Sequence, residues 1–310
     1  MTGLGPTGRT VLVTGGAGFI GSHLVEALRA DNDVRVLDDL SSGRRHHVPD
    51  GVELVEGDLR DGDALEEAVE GVDLIYHEAA IVSVEQSVAD PPTSQAVNAT
   101  ATLELLERAR ERDARVVLAS SAAIYGHPAS VPVGEDHRLE PTSPYGLQKV
   151  SLDAYARLYH DLYGLETVPL RYFNVYGPRQ TGGDYSGVIS VFLRQAREGG
   201  PITVNGDGEQ TRDFVHVDDV VRANLLAGTT DAVGRAYNVG TGESVTVRRL
   251  AELIRDAVGS DAEIVHRDPR PGDIERSRAD VSRARRELGF EPQVGLAQGL
   301  STLVEATGDE

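Results

Sequence analysis

The 310-residue chain has no cysteine, which excludes disulfides, thiolate catalysis and cysteine-ligated metals. No metal site is expected from the rest of the sequence. Basic residues are scarce: 30 Lys and Arg stand against 50 Asp and Glu, a formal charge of −20. Such a field repels nucleic-acid phosphates and anionic membrane surfaces, so neither is expected as a partner. The acids are spread along the chain rather than gathered in a tail. That dispersed pattern is shared with proteins of salt-loving organisms, and it speaks to the medium rather than to any reaction. No apolar run reaches the roughly 18 residues of a membrane span. Residues Met1 to Gly8 lack the charged and apolar regions of a secretory leader, so a soluble cytoplasmic protein is expected.

The scarcest residue is the most informative one. Lys149 is the only lysine; the remaining basic residues are all arginine. A position that keeps lysine against that bias calls for a compact, strongly hydrated ammonium that guanidinium cannot imitate. It lies four residues after Tyr145, and on a helix that spacing puts both side chains on one face. An ordinary surface pair is one reading. The other is a phenol whose pKa is lowered by the neighbouring cation so that it acts as a base near neutral pH.

The length suits one large α/β domain or two intimate ones, with 40% hydrophobic residues to fill a core. Short β-rich runs at Thr10–Thr14, Val34–Asp38, Val52–Val55, Asp73–His77, Arg115–Ser120 and Thr167–Phe173 alternate with helical patterns such as Asp63–Val69 and Asn98–Arg110. Alternation of this kind predicts an α/β fold, a doubly wound parallel Rossmann sheet with a smaller C-terminal substrate-binding lobe. After Tyr176 glycine and proline cluster into turns. The expected division is a nucleotide-binding domain over 1–176 with a returning segment at about 214–240, and a lobe from 177–213 and 241–310. Within the returning segment Ala236–Val239 is expected to add a strand to the main sheet.

Thr14-Gly15-Gly16-Ala17-Gly18-Phe19-Ile20-Gly21 follows the first strand and opens a helix. Glycines at 15, 18 and 21 permit a tight turn, close approach of backbone to a pyrophosphate, and close packing of helix on strand. The helix N-terminus then offers free N–H groups to the phosphates. Asp38 closes the second strand, where an acid accepts hydrogen bonds from the adenosine ribose and repels a 2′-phosphate, favouring NAD over NADP. Asp39 is the alternative for that role. Asp58, in Gly57-Asp58-Leu59, is a candidate for the adenine amine.

These motifs, with Ala79-Ala80, Ser120–Gly126 and the Tyr145/Lys149 pair, resemble the extended short-chain dehydrogenases/reductases. Within them the chain is most similar to the UDP-glucose 4-epimerase branch, through Arg171–Asn174, Thr211–His216 and Arg270–Asp273 as well. The likeness runs from about Thr10 to Leu300. It implies Tyr145 as general base and acid, Lys149 as its partner on the nicotinamide ribose, and Ser121 on the sugar 4-oxygen. It places Phe19, Ile20, Ser42, Gly43, Leu59, Ala79, Ala80, Asn98 and Tyr172 around NAD. It assigns Asn174, Val188, Arg212 and Arg270 to the nucleotide sugar, Asp273 to the uridine ribose, and Ser277 to a gate beside the sugar 2-substituent. It also implies a homodimer built through the helices at about 98–110 and 145–163.

Two positions depart from the family pattern. Glu78 stands where an apolar residue is usual, and a carboxylate near the cofactor is expected to face solvent or meet an arginine. Val82 replaces a lysine that contacts the cofactor in some epimerases. The residues after Ser121 bear on the reaction. Related dehydratases carry an Asp-Glu pair there and decarboxylases a glutamate, whereas this chain has Ala122 and Ala123. Alanine has no proton to give, so the resemblance implies 4-epimerisation of a UDP-hexose rather than dehydration, decarboxylation or net reduction.

Overall fold

The computed structural model describes residues 3–180, 187–270 and 272–306. The first strand, β1 (Thr10–Thr14), is a run of Thr and Val with Leu whose inner four residues are buried on both faces, the signature of a central parallel strand. It is followed by α1 (Phe19–Leu28), β2 (Asp33–Asp38), β3 (Glu53–Glu56), α2 (Gly62–Val69) and β4 (Leu74–His77). Next come two short helices, α3 (Val84–Ala89) and α4 (Pro91–Gln95), then a π-helical turn at Ala96–Thr100 that runs into α5 (Ala101–Arg112). The half closes with β5 (Arg115–Ser121), α6 (Pro144–Tyr163) and β6 (Thr167–Tyr172).

The second half supplies β7 (Asn174–Tyr176), α7 (Val188–Arg197), β8 (Ile202–Asn205), β9 (Thr211–Arg212), β10 (Phe214–His216) and α8 (Val217–Ala227). It continues through β11 (Tyr237–Val239), β12 (Val245–Thr246), α9 (Val247–Val258), β13 (Ile264–Arg267), α10 (Ser282–Leu288) and α11 (Leu296–Ala306). Seven strands form one parallel sheet in the order β11-β6-β5-β4-β1-β2-β3. The predicted strand near 236–239 does return, pairing with β6 at Leu170 to Tyr172.

Helices cover both faces. α1, α8 and α10 pack Leu24, Val25, Leu28, Val220, Val221, Ala284 and Leu288 against one side. α2, α5 and α6 pack Leu65, Leu105, Leu106, Leu152 and Ala156 against the other. α10 and Phe290 thus sit on the nucleotide-binding half, so the two lobes' segments interleave beyond residue 240. The smaller lobe has its own core of Ile189, Phe192, Leu250, Ile254 and Leu300. Three two-stranded pairs accompany the main sheet: β10–β7, β12–β9 and β13–β8. Among the described residues no helix is long and apolar enough to cross a membrane, and no group of His, Asp and Glu is placed to hold a metal.

Candidate active site

All strands of the main sheet point their C-terminal ends the same way, and in open α/β sheets ligands bind in the crevice outside those ends. The glycine turn stands there between β1 and α1. Gly15 has φ +70°, and a Cβ on it would lie 2.7 Å from the Ala79 amide, so Gly15 and Ala79 touch backbone to backbone. A Cβ on Gly21 would fall 2.1 Å from the Gly15 carbonyl oxygen; only glycine lets the helix pack on the turn. The Gly18 N-cap has no side chain to bond the first N–H groups of α1, which carries Phe19 and Ile20. Those donors remain free for an anion.

Asp38 is buried, with Oδ2 accepting from the Ala17 amide at 2.9 Å and Oδ1 from the Leu40 amide at 2.9 Å. It clasps the glycine turn to the end of β2, and Gly43 packs against it. Burial pushes its carboxyl pKa up, opposed by these two amides. Asp39 is exposed and turned to the Ser41 amide and hydroxyl, and Ser42 beside it is exposed as well, so Asp38 rather than Asp39 occupies the strand-end position. Asp58 is engaged by Arg60 on both carboxylate oxygens, which holds its pKa below the usual carboxylate range. Leu59 is buried in the core beside it.

α6 carries the catalytic candidates. Ser143 caps its N-terminus by accepting from the Gly146 amide at 3.1 Å, Pro144 occupies the first turn, and Gly164 ends it in the left-handed conformation. Tyr145 and Lys149 are both buried on the sheet-facing side, with the ammonium 5.9 Å from the phenol ring centroid. Ser121, at the end of β5, lines the same cleft as Tyr145 and acts to lower the phenol pKa. Lys149 donates to the Ala119 carbonyl at 2.6 Å. The sequence expectation of a lowered phenol pKa is not met in this arrangement. Burial raises the Tyr145 pKa, Ser121 lowers it and Glu78 raises it, while the Lys149 ammonium is spent on Ala119. Burial brings Lys149 itself down to about 8.

Glu78 meets no arginine; it keeps partial contact with solvent, and its hydrogen-bond partner is a tyrosine. It is half-buried just after β4, and Oε1 accepts from the Tyr172 hydroxyl at 2.7 Å. Tyr172 is held from the other side by the Asn224 amide at 2.8 Å. Burial raises the Glu78 pKa to about 7, opposed by Tyr172 and by the charge of Lys149. Next to it, Asn98 fixes the segment after Ala80: its side chain accepts from the Ile81 amide at 2.8 Å and donates to the Ile81 carbonyl at 2.9 Å. Gln148 on α6 accepts a further bond from the Asn98 amide at 2.8 Å. Asn98 reaches this position from the π-helical turn, a local winding that no sequence signal marked.

A cleft opens above Tyr145, lined by Ser121, Ala122, Ala123, Tyr172, Asn174, Arg212, Ile274 and Ser277, with Val82 and Val84 at its edge. Ser277, reached only through an irregular loop, is therefore in the cleft wall, its amide bonded to the Thr211 carbonyl at 3.1 Å. The two predicted clamp arginines separate. Arg212 is in the cleft and ion-paired with Asp273. Arg270 is exposed and loosely opposite Glu85 at 3.9 Å. Arg212 and Asp273, expected to take different parts of the ligand, thus engage each other. Val188 starts α7 and packs on the core of the smaller lobe rather than lining the cleft.

Sequence reading also missed Asp213. It is fully buried and accepts from the Thr241 amide (2.8 Å) and hydroxyl (2.7 Å), the Gly242 amide (3.0 Å) and the Ala279 amide (3.0 Å). Its own carbonyl takes the Asn174 side-chain amide at 3.1 Å. The carboxylate so ties the segments at Thr241–Gly242 and Ala279 together, while the backbone carbonyl of the same residue holds Asn174. Its neighbours in Thr211–His216 were the available signal.

The comparisons agree with this geometry. A family model described as "NAD dependent epimerase/dehydratase family" matches residues 11–240. A UDP-glucose 4-epimerase of Mycolicibacterium smegmatis is 43% identical over 303 residues, covering 95% of this chain and 97% of that one. A UDP-N-acetylglucosamine 4-epimerase from Methanobrevibacter ruminantium M1, solved in complex with UDP-N-acetylmuramic acid, superposes with a TM-score of 0.94 at 38% identity, covering 98% of this chain and 99% of that one. A UDP-glucose 4-epimerase of Thermus thermophilus, solved in complex with NAD, gives 0.89 at 40% identity, with 96% and 98% covered. The chain belongs to the NAD-dependent epimerase/dehydratase family.

Proposed function

We propose that the protein is an NAD-dependent UDP-hexose 4-epimerase, acting as a cytoplasmic homodimer. The observation that carries this reading is the pair Ser121 and Tyr145 in the cleft, with Lys149 buried one turn behind Tyr145 and with Ala122 and Ala123 lining the same cleft where a dehydratase or decarboxylase needs an acid. The residues fit a dinucleotide: a glycine turn that admits backbone contact, uncapped N–H groups on α1, and a buried strand-end Asp38. NAD, when bound, supplies the hydride acceptor and donor. Tyr145 takes the proton of the sugar 4-hydroxyl and later returns it. Ser121 orients the 4-oxygen beside Tyr145, and Lys149 would bond the nicotinamide ribose. Arg212 and Asn174 hold the diphosphate end, leaving the flat 4-keto sugar free to turn between Ala122, Ala123 and Ile274 before reduction on its other face.

Asp38 supports NAD over NADP, since a 2′-phosphate would approach a buried carboxylate. Ser277 in the cleft wall leaves room for a 2-acetamido group, so UDP-glucose and UDP-N-acetylglucosamine are both substrates in this reading. The dimer rests on α6, whose outer face exposes Leu147, Tyr155, Leu158, Leu162 and Tyr163 while its inner face packs on the sheet. A symmetric pair requires a self-complementary patch of that kind. The apolar stripe of α5 is spent on its own sheet.

Incubation with a panel of UDP- and dTDP-sugars, followed by NMR of the sugar configuration, tests the proposal. Inversion at C4 of UDP-sugars is the expected result; a 4-keto-6-deoxy or pentose product would assign dehydration or decarboxylation instead. Ser277→Tyr should reduce turnover of the N-acetylated sugar far more than that of the plain one. An equal effect on both would remove Ser277 from sugar selection.

A further inference from the structure

We infer that the Glu78 carboxylate is a further cofactor-facing group, one that favours the positively charged, oxidised nicotinamide over the neutral, reduced one. The inference rests on NAD being the resident cofactor. Glu78 follows β4, and its backbone abuts the glycine turn: a Cβ on Gly15 would lie 3.0 Å from the Glu78 carbonyl carbon. Its side chain extends to the other end of the site, bonded through Oε1 to Tyr172, and its charge acts on both Tyr145 and Lys149. No protein donor among the described residues bonds its second oxygen, Oε2, so that oxygen is left to a ligand. Glu78 therefore links the phosphate-binding turn to Tyr172, which lines the cleft together with Tyr145.

The chemistry fixes where the hydride acceptor must lie. The proton and the hydride leave the oxygen and carbon of a single carbinol, so the ring that takes the hydride stands next to Tyr145 on the dinucleotide side. That is the stretch Glu78 covers. The ring carries one positive charge when oxidised and none when reduced. The buried Lys149 ammonium, one turn beyond Tyr145 on α6, repels the charged form, and a carboxylate offsets that repulsion. A Glu78 carboxylate that favours the oxidised form would thereby favour return of the hydride, with its two electrons, to the 4-keto sugar, and a bound cofactor would rest oxidised between turnovers. A cofactor left reduced after loss of the keto sugar would be inactive for the next epimerisation.

The test is binding, not turnover. Nucleotide-free protein and its Glu78→Gln variant are titrated separately with NAD and with NADH. Glutamine keeps an acceptor for Tyr172 and removes the charge. NAD affinity is expected to fall at least about fivefold and NADH affinity to stay within about twofold. The charged and titratable groups that act on Glu78 or feel it are Tyr145 and Lys149 on α6 and Tyr172 on β6; the neighbouring His77 is turned to Thr14 and Thr102 and held neutral by burial, its pKa pushed down to about 3. The gap between the two proteins is expected to open at pH 8 and to close at pH 5.5, where the Glu78 carboxyl is protonated and Lys149 is charged in both. Tyr172→Phe, which removes the bond but keeps the charge, should retain the NAD preference. Equal weakening of both nucleotides, a pH-independent gap, or loss of preference in Tyr172→Phe would overturn the inference. A wild-type protein that binds neither nucleotide would overturn the cofactor assignment as well.

Discussion

Lys149 has a place that suits ammonium alone. Its stem is buried among α6 and β5, and its head donates to the Ala119 carbonyl at 2.6 Å. A planar guanidinium is larger and directs its donors in a fixed fork, so Lys149→Arg should lose most turnover although the charge is kept. Normal activity in that variant would refute the role inferred from the lone lysine. Tyr145→Phe deletes only the phenolic oxygen, and it should abolish turnover while NAD affinity, measured by titration, is nearly unchanged. The pH dependence follows from the direction of the Lys149 shift. The cation is the active form and burial brings its pKa from 10.5 to about 8. Activity that needs the cation is therefore present below pH 8 and lost as pH rises through it. A kcat/KM profile still climbing at pH 9 would contradict this.

At the scale of elements, one buried ion pair ties α6, the helix of Tyr145 and Lys149, to the sheet. Asp153, one turn beyond Lys149 on α6, is fully buried and takes two bonds from Arg171 on β6, at 2.8 and 2.9 Å. Arg171 also donates to the Tyr125 hydroxyl at 2.9 Å, and Tyr125 to Asn238 on β11 at 2.7 Å. Removing one partner leaves an uncompensated buried charge, so Asp153→Asn should cost about 3–5 kcal/mol in denaturant unfolding. A loss below about 1 kcal/mol would show the pair to be dispensable. The Arg171–Asn174 motif was legible in the sequence, as were the strand–helix order, the glycine turn and the capped α6, because each is written in local pattern. Glu78 was not, because its partner Tyr172 lies 94 residues away on another strand. Asn98 depends on a π-helical turn without a sequence mark, and the separation of Arg212 from Arg270 depends on irregular loops with no periodicity to read.

For the whole molecule, the charge of −20 sets the conditions under which assembly is measured. Like-charged protomers repel at low ionic strength, and salt screens that repulsion beyond roughly 3 Å at 1 M. Light scattering in high salt should give twice the 33.2 kDa chain mass, with Leu158→Glu or Leu162→Glu on the exposed face of α6 returning the monomer. A clean wild-type monomer in high salt would remove the dimer. The most direct test of the reaction itself follows one atom. UDP-glucose carrying deuterium at sugar C4 is incubated with the enzyme and the product is read by NMR and mass spectrometry. Hydride that leaves C4 and returns to C4 within one closed site must yield UDP-galactose with the deuterium still at C4. Inverted product that has lost its label to water, or no inversion at C4 at all, would contradict the account.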